Sequence, residues 1–346
     1  MNKKLGFVVV TLLLSLVLAL PVSAQTLDVY SIMPESFAVP FFEAFTEATG
    51  IKINFVRHSA GEVLARLIAE KNNPRVGMVF GGAADTFAAA VSEGVLEAYA
   101  PAGVEAIPAS YRDSNNYFTG IALNPIVFLT NREFLAENNM QPPASWYDLL
   151  DPAYRNGLQM ADARTSGTGF NRIASIIMAL GGEDEAFDYM AKLHENVQVY
   201  TKSGGGGTVP VATRQASSGV FFLVDSIETA SRGYDVVISF PKEGSIVSVE
   251  AMALVKNGPN QDLAKKFMDW MVTPEAQSIY AQHGIGFLPA HPEAAVSELV
   301  NIEGANFFEL DLDWAGEHRQ RVIEKWVDEI VGFLATNSLQ SSLDLL

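Results

Sequence analysis

The sequence predicts an α/β protein of two lobes, each a sheet flanked by helices, with polar glycine turns collected at one edge of open, largely parallel strands. Three observations predict it. A unit made of an apolar strand, a Ser/Thr/Gly turn and an amphipathic helix recurs along the chain, and such turns belong at the carboxyl ends of parallel strands, where open α/β sheets bind ligands. Two extended apolar stretches, 120–130 and 247–255, are placed to carry the chain from one lobe to the other and back. With 346 residues, 49% of them hydrophobic and 18% charged, the chain is long and apolar enough for about two cores.

In chain order, Met1 to Ala24 reads as a secretory leader. Lys3 and Lys4 precede an apolar run from Leu5 to Leu20, and Pro21-Val22-Ser23-Ala24 places small residues for cleavage before Gln25. The run is short and ends in a helix breaker, which argues against a membrane anchor, and after Ala24 no apolar stretch is long enough to span a bilayer. With no cysteine in the chain there is no lipidation after cleavage, no disulfide and no thiol chemistry. The expected product is an exported, soluble protein.

The mature chain opens on a strand, LDVYS, that delivers Ser31 to a turn at Met33 to Ser36, followed by a helix holding Phe41, Phe42 and Phe45. A strand at Ile51 to Arg57 leads into Ser59-Ala60-Gly61-Glu62 and a helix with Leu64, Leu67 and Ile68. Ser59 and Glu62 also match the S-x-x-E capping box, a structural role compatible with ligand binding because a cap satisfies only part of the exposed amide set. Val76 to Phe80 runs into Gly81-Gly82 and a helix over 83–91, and two glycines after a buried strand imply a close backbone approach. From 120 to 130 the chain is extended, with Asn124-Pro125 interrupting it. Loop and short helix follow to Asp151.

The second lobe is built around residues 158–180. Leu158 and Met160 run into Thr165-Ser166-Gly167-Thr168-Gly169, and then Ile173, Ile176, Ile177 and Leu180 fall at i, i+3, i+4 and i+7 on one helix face. Unpaired N–H groups at a helix start make such a turn suited to anions. An acidic helix covers 182–195. Val197 to Thr201 then leads through Lys202 and Ser203 into Gly204 to Gly207 and Thr208, with Pro210 in the first turn of the next helix, where a missing N–H costs nothing. A buried strand is expected over 219–224, ending at Asp225, and another over 236–240. The remainder reads as helices at 262–271, 274–283 and 317–334.

The formal charge is −17, and two of the positive charges sit in the leader. That argues against nucleic acid as a partner, because phosphate backbones need a basic face. Motifs of catalysis are absent: no G-x-S-x-G elbow, no G-x-x-x-x-G-K-[ST] loop, and His194-Glu195-Asn196-Val197-Gln198 replaces the second zinc ligand of H-E-x-x-H with glutamine. Histidines 58, 194, 283, 291 and 318 show no ligand spacing and read as surface residues. No catalytic residue, metal ligand or cofactor is expected, although a lyase or glycosidase working in the same cleft has no required motif.

Taken together, LDVYS, FFEAFTEATGIKINF, SAGEVLARLIAEKNNP, FGGAADTFAAAVSEGVLEAY, TSGTGF and FPKEGSIVSVEAMALVKNGPNQDLAKKFMDWMVTPEAQ, in this order and spacing, resemble the periplasmic solute-binding proteins of ABC importers, in the branch with ferric-ion, aminoethylphosphonate and hexose-phosphate receptors. The resemblance covers essentially the whole mature chain. It implies the type II periplasmic binding protein fold, each lobe a mixed sheet flanked by helices, with the ligand in the interlobe cleft, hinge closure, and delivery to a membrane permease and its ATPase. The lobes would be 25–124 with 250–346, and 125–249; the protein would be a periplasmic monomer. Binding loops carried onto this chain fall at Ser31, at Ser59, Ala60 and Gly61, at Gly81 and Gly82, at Thr165, Ser166, Gly167 and Thr168, at Ser203, Gly204 and Gly205, and at Asp225. Ferric receptors of this branch carry a tyrosine pair where this chain has Val224 and Asp225, and no Tyr-Tyr pair exists anywhere in it. Val76-Gly77 also departs from an Ala-Asp pair common among relatives. The hydroxyl and amide donors favour a small phosphorylated or phosphonate-type anion; a ferric ion held through carboxylates or with a synergistic anion is the alternative. The leader makes one direct prediction: mass analysis of exported protein should find Gln25 at the amino terminus, and a chain beginning at Met1 would refute the leader.

Overall fold

The computed structural model describes residues 25–332; the leader expected over 1–24 and the last two residues of the helix expected over 317–334 lie outside the described residues. Strands are β1 (Thr26–Ser31), β2 (Lys52–Arg57), β3 (Met78–Ala83), β4 (Leu96–Glu97), β5 (Thr119–Asn131), β6 (Leu158–Ala161), β7 (Val197–Thr201), β8 (Ser218–Phe222), β9 (Val236–Ser239), β10 (Ser245–Val255), β11 (Leu288–Pro289) and β12 (Phe307–Glu309). The larger helices are α1 (Glu35–Thr49), α2 (Ala60–Ala69), α3 (Ala84–Ser92), α4 (Gly167–Leu180), α5 (Glu183–His194), α6 (Leu223–Ser231), α7 (Gln261–Met271) and α8 (Leu312–Trp326).

The main path of hydrogen-bonded strands runs β2-β1-β3-β10-β5-β8-β6-β7. Within it β1 is parallel to both β2 and β3, and β6 is parallel to both β7 and β8, so the two lobes each contain a set of parallel strands whose carboxyl ends carry turns. Between the sets run the antiparallel strands β10 and β5. Thr119 to Pro125 of β5 pair with β10, while Ile126 to Thr130 pair with β8 and Phe128 to Asn131 with β9. Asn124-Pro125 therefore does not interrupt the strand as expected; the strand passes through unbroken and changes partner there. Proline has no N–H to offer a ladder, so it is tolerated where one pairing gives way to the next.

Periodicity explains the cores. In the first lobe Phe41, Phe42 and Phe45 of α1 are buried against Phe80 of β3 and Phe267 of α7, with ring centroids 5.2 Å apart for Phe42–Phe80 and 5.0 Å for Phe45–Phe267. The second lobe packs Phe128 edge-on against Trp146 at 5.0 Å, and the Trp146 indole N–H donates to Gly244 O. Ile173 and Ile176 of α4 complete that core.

Two element boundaries and the burial of one histidine differ from the expected ones. The strand read over 219–224 stops at Phe222, and α6 begins at Leu223, so Val224 and Asp225 lie in a first helical turn. A short apolar run cannot separate a buried strand from the buried start of a helix. The last helix begins at Leu312 rather than 317, because Asp311 caps it by accepting from the N–H groups of Asp313 and Trp314. His291 is buried rather than at the surface, its backbone N–H donating to Gln277 Oε1.

Helix α8 touches both lobes. It packs along α3, Arg321 pairs with Glu183 of α5, and Trp326 meets Tyr200 of β7 edge-on at 5.0 Å. If the aromatic cluster carries the first lobe, Phe267→Ala should lower unfolding free energy by about 3–5 kcal/mol, the usual cost of emptying a buried phenylalanine site. Urea titration of the purified protein measures it, and a loss under about 1 kcal/mol would contradict the packing.

Candidate functional site

One cavity of about 70 Å³ opens where the carboxyl ends of β1–β3 face those of β6 and β7 and the start of α6. Successive residues of a strand point to opposite faces, so the two central strands contribute to different spaces. Asn124 and Glu250 face this cavity, whereas Leu123 and Val249 line a larger hollow of about 670 Å³ behind the strands. The larger hollow contains none of the hydroxyl-glycine turns, so the chemistry belongs to the smaller one.

Most of the expected site residues reach this cavity. Ser59, Ala60, Gly82, Thr165, Ser166, Gly167, Thr168, Ser203, Gly204, Gly205 and Asp225 all line it. Ser31, Gly61 and Gly81 do not. The Ser31 hydroxyl is fully buried and donates to Met33 O at 2.8 Å, holding the turn that precedes α1. Gly61 instead meets the opposite lobe, its N–H donating to Thr165 O. Gly81 and Gly82 have φ of 73° and 92°, and a Cβ on Gly82 would lie 2.7 Å from Ile32 side-chain atoms, so conformation and packing both demand glycine.

The turns differ in how many donors they keep free. At Ser59 the backbone N–H and the hydroxyl both donate to Glu62 Oε2 at 3.0 Å, the structural half of the capping box, so this turn offers less than its sequence promised. Thr165 spends its hydroxyl on Lys202 O. By contrast the Ser166 and Thr168 hydroxyls and the N–H groups of Gly167 and Thr168 have no protein partner among the described residues, and they stand at the start of the fourteen-residue α4. Gly204 lies so close to Thr168 Oγ1, and Gly205 to Asp225 Oδ1, that a Cβ on either would collide. The helix after these glycines is only the single turn Thr208–Ala212, so the Ser203–Gly205 turn contributes individual amides rather than a helix dipole.

Two groups were missed by sequence reasoning. Arg57, at the end of β2, lines the cavity with no ion-pair partner among the described residues. Glu250 sits on β10 at a break in register with both β3 and β5, a bulge of the kind that re-aims a side chain. Its carboxylate accepts the Gly82 N–H at 2.8 Å. The available signal was a lone carboxylate inside the apolar run VSVEAMALV, since a buried acid in a strand requires a reason.

Burial pushes the Glu250 carboxyl up to about 8, with the Asp225 and Asp85 charges adding to the effect and the hydrogen bonds from Gly82 and Asn124 opposing it. Asp225 is partly exposed as a residue, yet its carboxyl is enclosed and is pushed up to about 7 by burial and by Glu228, against the pull of Arg57. Across the cleft mouth Lys202 Nζ reaches Glu62 Oε1 at 2.7 Å. That hydrogen bond, together with those from Ser59, draws the Glu62 carboxyl down to about 2.

The cavity thus gathers free donors and enclosed carboxyls, and the chain that builds it is similar to known proteins. Residues 75–315 match the family described as bacterial extracellular solute-binding protein. An uncharacterized protein of Haemophilus influenzae is 31% identical over 94% of this chain and 98% of its own length. A periplasmic protein of Salmonella typhi, provisionally named for binding 2-aminoethylphosphonate, is 28% identical over 74% of this chain and 75% of its own. Among solved structures, the periplasmic binding protein AfuA from Actinobacillus pleuropneumoniae with fructose-6-phosphate bound superposes with a TM-score of 0.85 at 29% identity, covering 89% of this chain and 99% of that one.

The raised carboxyls set a pH dependence. Between the ordinary carboxylate range and about 8, the folded protein keeps protons on Asp225 and Glu250 that the unfolded chain has released. The native state then binds more protons, and stability falls as pH rises through that window. Thermal melts of ligand-free protein from pH 5 to 9 should show this decline, and Asp225→Asn with Glu250→Gln should flatten it; an unchanged slope in the double variant would refute the assignment.

Proposed function

Because the chain belongs to the bacterial extracellular solute-binding protein family and is an ABC-transporter binding protein, we propose that its cleft captures a small phosphorylated or phosphonate-type solute and hands it unchanged to a membrane permease. The single observation that carries this reading is the set of unpartnered donors facing one cavity. Ser166 and Thr168 offer hydroxyls, Gly167 and Thr168 offer amides at the head of α4, and Arg57 supplies a guanidinium from the other lobe. Such donors suit the oxygens of a phosphate, and a planar guanidinium suits them twice over.

Asp225 and Glu250 line the same cavity and accept hydrogen bonds, which suits hydroxyls or an amine on the solute's organic part. The ligand named for AfuA joins a phosphate to a polyol, and the one named for the Salmonella protein joins a phosphonate to an amine, so both have this two-ended character. A bare ferric ion fits less well. A hard trivalent cation wants several anionic oxygens. Val224 and Asp225 stand where ferric receptors of the resembled branch carry tyrosines, and no cluster of three His, Cys, Asp or Glu suited to a metal occurs among the described residues.

On this reading the protein works in the periplasm as a monomer. Residues 25–124 with 250–346 form one lobe and 125–249 the other, with α8 bound to both. The solute is released unaltered, which separates a receptor from an enzyme working in the same cleft.

Calorimetry with fructose-6-phosphate and 2-aminoethylphosphonate tests the proposal. Ser166→Ala with Thr168→Ala should weaken the bound anion by about 2 kcal/mol or more, the worth of one or two charge-assisted hydrogen bonds. Tight ferric binding with no heat from either organic anion would overturn it, and so would recovery of either compound chemically changed.

A further inference from the structure

A buried polar node joins three segments distant in sequence. Asp85, in the first turn of α3, is 1% exposed; its Oδ2 accepts from Arg319 Nε of α8 at 2.8 Å, and its Oδ1 accepts from Asn171 Nδ2 of α4 at 2.9 Å. Asn171, fully buried, also donates from the same nitrogen to Gly167 O at 2.9 Å. Gly167 is the first residue of α4 and part of the cavity wall, and a Cβ placed on it would lie 3.1 Å from the Ala83 Cβ at the end of β3. The donor turn of one lobe is thereby seated against the other lobe's strand end, one helical turn from the amide that reads Asp85.

We infer that Asn171 is a positioning residue for the anion turn, tying Gly167 to the Arg319-paired Asp85 so that the turn reaches its binding geometry as the lobes close. The inference rests on the phosphate reading of that turn. Arg319 keeps the Asp85 charge paired when the lobes part, so opening leaves no orphaned carboxylate. Closure adds the Asn171 amide, a hydrogen bond to an ionised acceptor made only when α4 meets α3. Burial alone drives the Asp85 carboxyl upward, while Arg319 and Asn171 oppose that shift, as expected of partners that hold the charge. The Asp85 charge in turn helps to raise the Glu250 carboxyl. A bond formed on closure acts on departure of the ligand, because the open form that ligand enters lacks it.

Stopped-flow with fructose-6-phosphate as the probe reads this directly. Asn171→Leu should speed release on the order of 10-fold, the worth of one hydrogen bond to a charged group, with association unchanged and the melting point of ligand-free protein little altered. Unchanged release in Asn171→Leu, or slowed association instead, would overturn the inference. A parallel measurement needs no ligand. The chain has no cysteine, so spin labels at Glu47→Cys and Asp188→Cys report lobe separation alone. If neither fructose-6-phosphate nor 2-aminoethylphosphonate binds, the phosphate reading falls; a closed population reduced by Asn171→Leu would still uphold the node, and an unchanged distance distribution would refute it.

Discussion

A β-strand has two edges, and each must find hydrogen-bond partners or water. In this protein β5 meets that demand by dividing its length: residues before Ile126 bond to β10 and residues after it to β8 and β9. The change of partner leaves a wedge between the two sets of parallel strands, and the wedge is the cleft. Every other feature of the site inherits its position from that division. Alternation along the strand decides that Asn124 faces the wedge and Leu123 does not, and the neighbouring bulge in β10 turns Glu250 the same way.

Chemical roles then sort by distance from the divided strand. Hydroxyls and amides come from turns farther out, where parallel strands end and helices start, and their N–H groups are free because a helix cannot satisfy its own first turn. Carboxyls come from the middle, where the walls are close and water is scarce. An acidic protein can offer an anion site on these terms, since local dipoles and one guanidinium act at hydrogen-bond range while most of the net charge lies on a solvated exterior. The Gly204 and Gly205 backbone lies against Thr168 and Asp225 without side chains intervening, which brings both roles into one small space.

Much of this was legible in the sequence because it is periodic or local. The strand-turn-helix units, the two crossover stretches and the turns at Ser59, Gly82, Ser166 and Ser203 follow from spacing and from the conformational freedom of glycine. What was not legible depends on partners far along the chain. Nothing near Arg57 says that its guanidinium meets a cleft, and the bulge that aims Glu250 exists only when β3 and β5 flank β10. The Ser59 turn was overread, because local matching identifies a capping box without saying that the cap consumes both donors. Val224 and Asp225 were placed in a strand because apolar runs do not announce where extension gives way to helix.

The hydrogen bond between Lys202 and Glu62 lies at the outer lip of the cleft, with 69% of the lysine side chain exposed. Asp85 and Arg319, at 0% and 7%, are sealed inside. Dissolved ions screen exposed charges over about 8 Å at physiological salt, and reach buried ones hardly at all. The fastening at the lip is therefore open to its surroundings, loosening in brine and tightening in fresh water, while the Asp85–Arg319 pair, which lies within one lobe and stays formed when the lobes part, is indifferent to them. A compartment whose salinity follows the outside world would set how long the lips stay shut without altering what the interior recognises.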